Sequence, residues 1–134
     1  MKFSKVKILA GAMLMAMTAA CSTHQPKSDE QVVESLSLQR LELLQELDFE
    51  AAYELMSPGY RKTRDLDRFK FDFGGAGTIR SFKFKSASCE EDQCSAYVDV
   101  EYDLGANAPG LKIVRTNIES WIRVDGKWWL VKSE

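Results

Sequence analysis

Hydrophobic and polar positions divide the chain into a helical front and an extended back. Ile8 to Ala20 is apolar without interruption, and Lys2, Lys5 and Lys7 stand ahead of it. Ser22 to Glu30 is polar and contains Pro26, the composition of a flexible tether. From Gln31 the pattern turns helical. Val32, Val33, Leu36, Leu43, Leu44 and Leu47 recur at three- and four-residue steps, and Ser28 or Asp29 can cap the start. Arg40 falls in the middle of that apolar face. Either its stem packs while its head reaches water or a carboxylate, or it is a cation lining a pocket. Asp48 can cap a second helix, Phe49 to Met56, with Phe49, Ala52, Tyr53 and Met56 on its buried side. Ser57 and Pro58 supply an N-cap and a first-turn proline for a short turn through Tyr60 and Arg61. Thr63 or Asp65 starts another short helix that reaches Phe69. Gly74, Gly75, Ala76 and Gly77 lack the Lys-Ser/Thr of a phosphate loop and read as a turn into a sheet.

The rest of the chain predicts four strands, at 78–88, 94–104, 111–124 and 127–133, each rich in Val, Ile, Thr or aromatic residues. Ala96, Val98, Val100, Tyr102 and Leu104 alternate with Tyr97, Asp99, Glu101 and Asp103, which gives one dry face and one acidic face. Asp125-Gly126 is a hairpin signal that sets Ile122 opposite Trp129 and Trp121 opposite Leu130. Pairing Cys89 with Cys94 would leave Phe84 opposite Asp99, whereas side-chain alternation wants it beside Val98 or Val100. A one-residue bulge between Phe84 and Cys94 resolves the conflict and predicts a curved sheet.

Composition narrows the function classes. The 134 residues fit one domain, and 45% hydrophobic with 28% charged residues excludes wholesale disorder. A net charge of −2 leaves no basic footprint for nucleic acid. Cys89 and Cys94 enclose Glu90, Glu91, Asp92 and Gln93, and in an exported chain such a pair bridges. The three acids of that loop work against a reactive thiol. No metal or cofactor is implied: the single histidine, His24, lies in the tether, and two thiols do not complete a zinc site.

The front of the chain carries an address. The thirteen residues of 8–20, at about 1.5 Å each, cannot cross a hydrocarbon core of about 30 Å. A basic head, a short apolar middle and small residues before a cut describe a bacterial export signal. Ala19, Ala20, Cys21 and Ser22 resemble the lipobox of bacterial lipoproteins, with Thr18 where that family usually has an aliphatic residue. The resemblance implies a leader at 1–20, an acylated Cys21, a tether at 21–30 and one domain at 31–134. Ser22 implies the outer membrane, facing the periplasm, with acyl chains as the membrane attachment; an ordinary leader cut would instead give a soluble periplasmic protein. Loss of Lys2, Lys5 and Lys7 leaves 15 of the 18 basic residues against 20 acidic ones.

Helices first and antiparallel strands after is an α+β order. Residues 47–55 with 57–61, and 121–131, resemble the helical half and the closing hairpin of the nuclear transport factor 2-like superfamily. That resemblance implies N-terminal helices packed on a strongly curved four-stranded antiparallel sheet, a cystatin-like cone around a pocket. The expected pocket residues are Arg40, Tyr53, Tyr60, Asp99, Glu101, Asp103, Trp121 and Trp128. The two tryptophans could line a binding face or belong to the core. Three functions follow from the resemblance: a non-catalytic envelope lipoprotein binding a protein partner or a small apolar ligand, a pocket enzyme of isomerase or dehydratase type, and a homodimeric assembly module.

Overall fold

The computed structural model describes residues 25–105 and 108–133, and of Lys132 only the backbone. The expected leader at 1–20, Cys21 and His24 lie outside the described residues. Helix α1 spans Asp29–Gln45. Ser28 caps it with a capping box: its hydroxyl accepts from the Gln31 N–H at 3.3 Å, and Gln31 accepts from the Ser28 N–H at 3.0 Å. The helix ends two residues before Leu47, which takes a left-handed φ of 61° and is half exposed rather than continuing the apolar face. This turn lets Asp48 cap α2 (Phe49–Glu54). Ser57 and Asp65 cap α3 (Pro58–Thr63) and α4 (Leu66–Asp72) in turn. The glycine-rich segment winds into a 3-10 turn, Gly74–Thr78, before the sheet begins.

Four strands follow: β1 (Ile79–Glu90), β2 (Gln93–Asp103), β3 (Lys112–Val124) and β4 (Lys127–Ser133). They form an antiparallel meander in the order β1-β2-β3-β4. The chain is therefore α+β, with its helices packed on a four-stranded antiparallel sheet. Cys89 pairs with Cys94 and Phe84 with Val98, and the register slips between Phe84 and Ser86, where the alternation of side chains requires it. The Asp125-Gly126 hairpin sets Trp121 against Leu130 and Ile122 against Trp129, with both turn residues at positive φ.

The expected strong curvature is corrected: the sheet is not strongly curled. Its irregularities fall in the outer ladders, β1 with β2 and β3 with β4. The central ladder runs without a slip from Gln93 opposite Ile122 to Asp103 opposite Lys112, so the middle of the sheet lacks the bulge that a sharp bend needs.

One face of the sheet carries the core. Ala96, Val98, Val100, Trp121, Trp128 and Leu130 are buried against Val33, Leu41 and Leu44 of α1 and against Ala52, Met56 and Phe69. Phe69 gathers Tyr53, Tyr60 and Phe73 around it at ring distances of 5.5, 6.4 and 4.6 Å. The outer edge of β4 is closed by the link between α2 and α3: the Ser57 N–H donates to the Leu130 carbonyl and the Leu130 N–H to the Leu55 carbonyl.

Cys89 and Cys94 are disulfide-bonded, with Cα atoms 4.1 Å apart. The hairpin tip they close docks on Arg123. Its guanidinium pairs with Asp92 at 2.8 Å and with Asp29, in the first turn of α1, at 2.7 Å, while lying over the Trp128 ring. A bridge across so short a loop stabilises by about 2 kcal/mol through the unfolded chain. Reduction, or the double change Cys89→Ser and Cys94→Ser, should lower urea-unfolding stability by about that amount with the strand circular dichroism retained.

Candidate functional site

Helix α1 lies over β1 and β2, and the α2–α3 link borders β4. The first half of β3 is left uncovered. A cleft of about 390 Å³ opens there, between α1, the end of α4 with the 3-10 turn, and the sheet. Leu41 and Leu44 of α1, Phe73, Ile79, Leu104 and Ile113 give it apolar walls.

Its floor is polar, and strand alternation explains why. The residues of β3 that share a face with the buried Trp121 are Glu119, Asn117, Arg115 and Ile113. They pair with the core-facing Ala96, Val98, Val100 and Tyr102, and so point toward the helices rather than away. Arg40 reaches this row from α1. Its Nη1 donates to Glu119 Oε1 at 2.9 Å, and both side chains are buried. The other carboxylate oxygen of Glu119 accepts from the indole N–H of Trp121 at 3.1 Å. The Arg40 guanidinium lies 5.2 Å from the centre of the Phe73 ring. Among the described residues its Nε–H has no hydrogen-bond partner. Burying such a donor unpaired costs about 1–3 kcal/mol. Further along the row, the Asn117 amide donates to the Tyr102 hydroxyl at 3.1 Å.

Of the residues expected in a pocket, Arg40 lines the cleft, where its guanidinium meets the Glu119 carboxylate. The others stand elsewhere. Tyr53 donates its hydroxyl to the Arg64 carbonyl at 2.8 Å and packs edge-on against Phe69, among the helices. Tyr60 also packs edge-on against Phe69, where burial pushes its hydroxyl pKa above the ordinary value. Trp121 stands behind Glu119 as core, and Trp128 is core beneath Arg123.

Asp99, Glu101 and Asp103 occupy the outer face of the sheet, because Val98 and Val100 take the inner one. Asp99 meets Lys85 at 3.5 Å and accepts from Thr116 at 2.6 Å. Glu101 meets Lys112 at 3.1 Å. Asp103 accepts from the Gly105 N–H and pairs with Arg80, which together hold its carboxyl below the usual range. A general base needs the opposite shift and an enclosed position.

Sequence reasoning passed over Tyr102, Glu119, Asn117 and Arg115. Counting back by twos from Trp121, once that residue is placed on the dry face, would have found the last three. Among the described residues no cluster of His, Cys, Asp and Glu is placed to hold a metal ion.

No family model matches the chain, and no curated protein matches it in sequence. It is similar to the solution structure of a SEC-C motif containing protein from Rhodopseudomonas palustris, at 16% identity and a TM-score of 0.62, covering 75% of this chain and 76% of that one. At that identity the likeness is one of fold.

The ion pair at the floor should behave as a unit. Arg40→Met or Glu119→Leu alone leaves a buried charge without its partner and should cost about 3–5 kcal/mol in urea unfolding. The double variant should cost clearly less than the sum of the two, giving a large coupling energy in the cycle.

Proposed function

We propose that the chain is a non-catalytic bacterial envelope lipoprotein, moored by acyl chains on Cys21 to the periplasmic side of the outer membrane, whose domain holds a small ligand. The observation that carries the binding reading is the half-open cleft over β3: apolar walls, a polar floor, and a volume at the lower end of the range for small-molecule sites. The export and lipid parts rest on the basic head, the apolar stretch of 8–20 and the small residues before Cys21. No helix among the described residues is long and apolar enough to cross a membrane. The order of helices and strands, with the cleft between them, supports reading the domain as a flattened relative of the nuclear transport factor 2-like cone. The non-catalytic reading is supported by the acidic row, which is paired with cations on the far side of the sheet.

A second reading, a protein partner or second copy of the chain on the outer sheet face, draws support from the exposed Tyr97, Val114 and Ile118 there. Light scattering at micromolar concentration that returns the mass of one chain would remove the homodimer.

Intact mass of the native protein should show a chain that starts at Cys21 and carries acyl chains. A retained leader or an unmodified Cys21 would overturn the anchor. Small-molecule mass spectrometry of the same preparation should find a retained compound, lost when Ile113→Trp fills the cleft while the melting temperature holds.

A further inference from the structure

The charges around the cleft do not balance. Arg40 is neutralised by Glu119. Asp72, at the rim, is taken by Arg64 at 2.6 Å and Arg68 at 3.1 Å. Arg115 lines the same cleft and has no acidic partner among the described residues. The outer-face acids are turned away from it, because Arg115 pairs with Val100 and shares the inner face.

Tyr102 stands one step from Arg115 on that face, since it pairs with Ile113. Diagonal neighbours of this kind have Cα atoms about 7–8 Å apart. The bond from Asn117 draws the Tyr102 hydroxyl along β3 toward Asn117, and Tyr102, Arg115 and Asn117 all line the cleft. A second observation points the same way. Arg40 has five N–H donors, yet among the described residues its partner is Glu119 Oε1, and its buried Nε–H has none. Two donor groups of the lining, the Arg115 guanidinium and the Arg40 Nε–H, thus lack an acidic partner among the described residues. An acceptor-only group is what they lack, and an ionised carboxylate is such a group.

We propose that the cleft takes a small carboxylic acid with an apolar body, its carboxylate seated between Arg115 and the Tyr102 hydroxyl and its hydrocarbon against Leu41, Leu44 and Ile113. One unmatched cation suits one negative charge, so a monoanion is preferred to a phosphate monoester. This assignment rests on the ligand-binding reading above and adds to it the chemical class of the ligand.

The test uses the full lipidated chain in nanodiscs, with empty discs subtracted, titrated calorimetrically with octanoate, 1-octanol, octylamine and octyl phosphate. Octanoate should bind at least about tenfold tighter than each of the others, the discrimination expected of one charge-assisted pair. Arg115→Gln should bring octanoate down to the level of octanol with no change in melting temperature, since Arg115 is exposed and packs against no core. Arg115→Lys should keep part of the preference. Equal binding of octanoate and octanol, a preference that survives Arg115→Gln, or tighter binding of octyl phosphate would overturn the carboxylate seat. If octanoate and octanol bind equally and Ile113→Trp abolishes both, the seat fails while the cleft remains a binding site. If both still bind to Ile113→Trp, the cleft reading falls and the seat with it.

Discussion

A guanidinium and a carboxylate are sealed between α1 and β3, and much of the domain is arranged to tolerate them. Moving either charge alone out of water costs several kcal/mol even after relaxation. The cost is offset here by direct contact at 2.9 Å, by the Trp121 indole on the far carboxylate oxygen and by the Phe73 ring facing the guanidinium. Geometry follows from the pair. Two side chains carry α1, lying over β1 and β2, across to β3: Asp29 to Arg123 near its start and Arg40 to Glu119 near its end. The helix is pinned at that reach and the rest of β3 remains open.

The sheet separates its charges by face. Outward, the acids of β2 are matched by Lys85, Lys112 and Arg80 from β1 and β3, across an exposed surface where each pair contributes at most about 1 kcal/mol. Inward, charges are few and each has consequences. The same residue types therefore do different things within a few ångströms. Asp99 pairs at the surface with Lys85, whereas Glu119 is buried and ties α1 to β3.

Legibility followed the range of the interaction. The hairpin at Asp125-Gly126, the caps at Ser28, Asp48, Ser57 and Asp65, and the slip after Phe84 are local or need one strand beside its neighbour, and alternation with turn chemistry is enough for those. Leu47 was harder. It fits the helical period, yet a left-handed turn takes it because Asp48 has to begin the next helix. The candidate site was the least legible part. Acids on β2 attract notice because they alternate with valines, but the valines are what turn them outward. The polar row of β3 is hidden because Arg115, Asn117 and Glu119 look like an exposed face, and Arg115 reads as an outer-face partner of the β2 acids, whereas it stands opposite Val100 on the inner face. Alternation with Trp121 puts them on the inner face, and the cleft opens over them because the helix layer stops short there, which depends on where α1 comes to rest. The partnership of Arg40 with Glu119 spans 79 positions and carries no local signal.

Arg123 has a mechanical consequence. Tension applied to the chain ahead of Gln25 arrives first at the opening turn of α1, where helices ordinarily begin to unzip. Asp29 stands in that turn, and Arg123 ties it to Asp92 in the disulfide-closed loop and to the ring of Trp128. A pull therefore loads the Asp29–Arg123 pair before the first helical turn can peel. The domain is braced at the corner where a leash would tug.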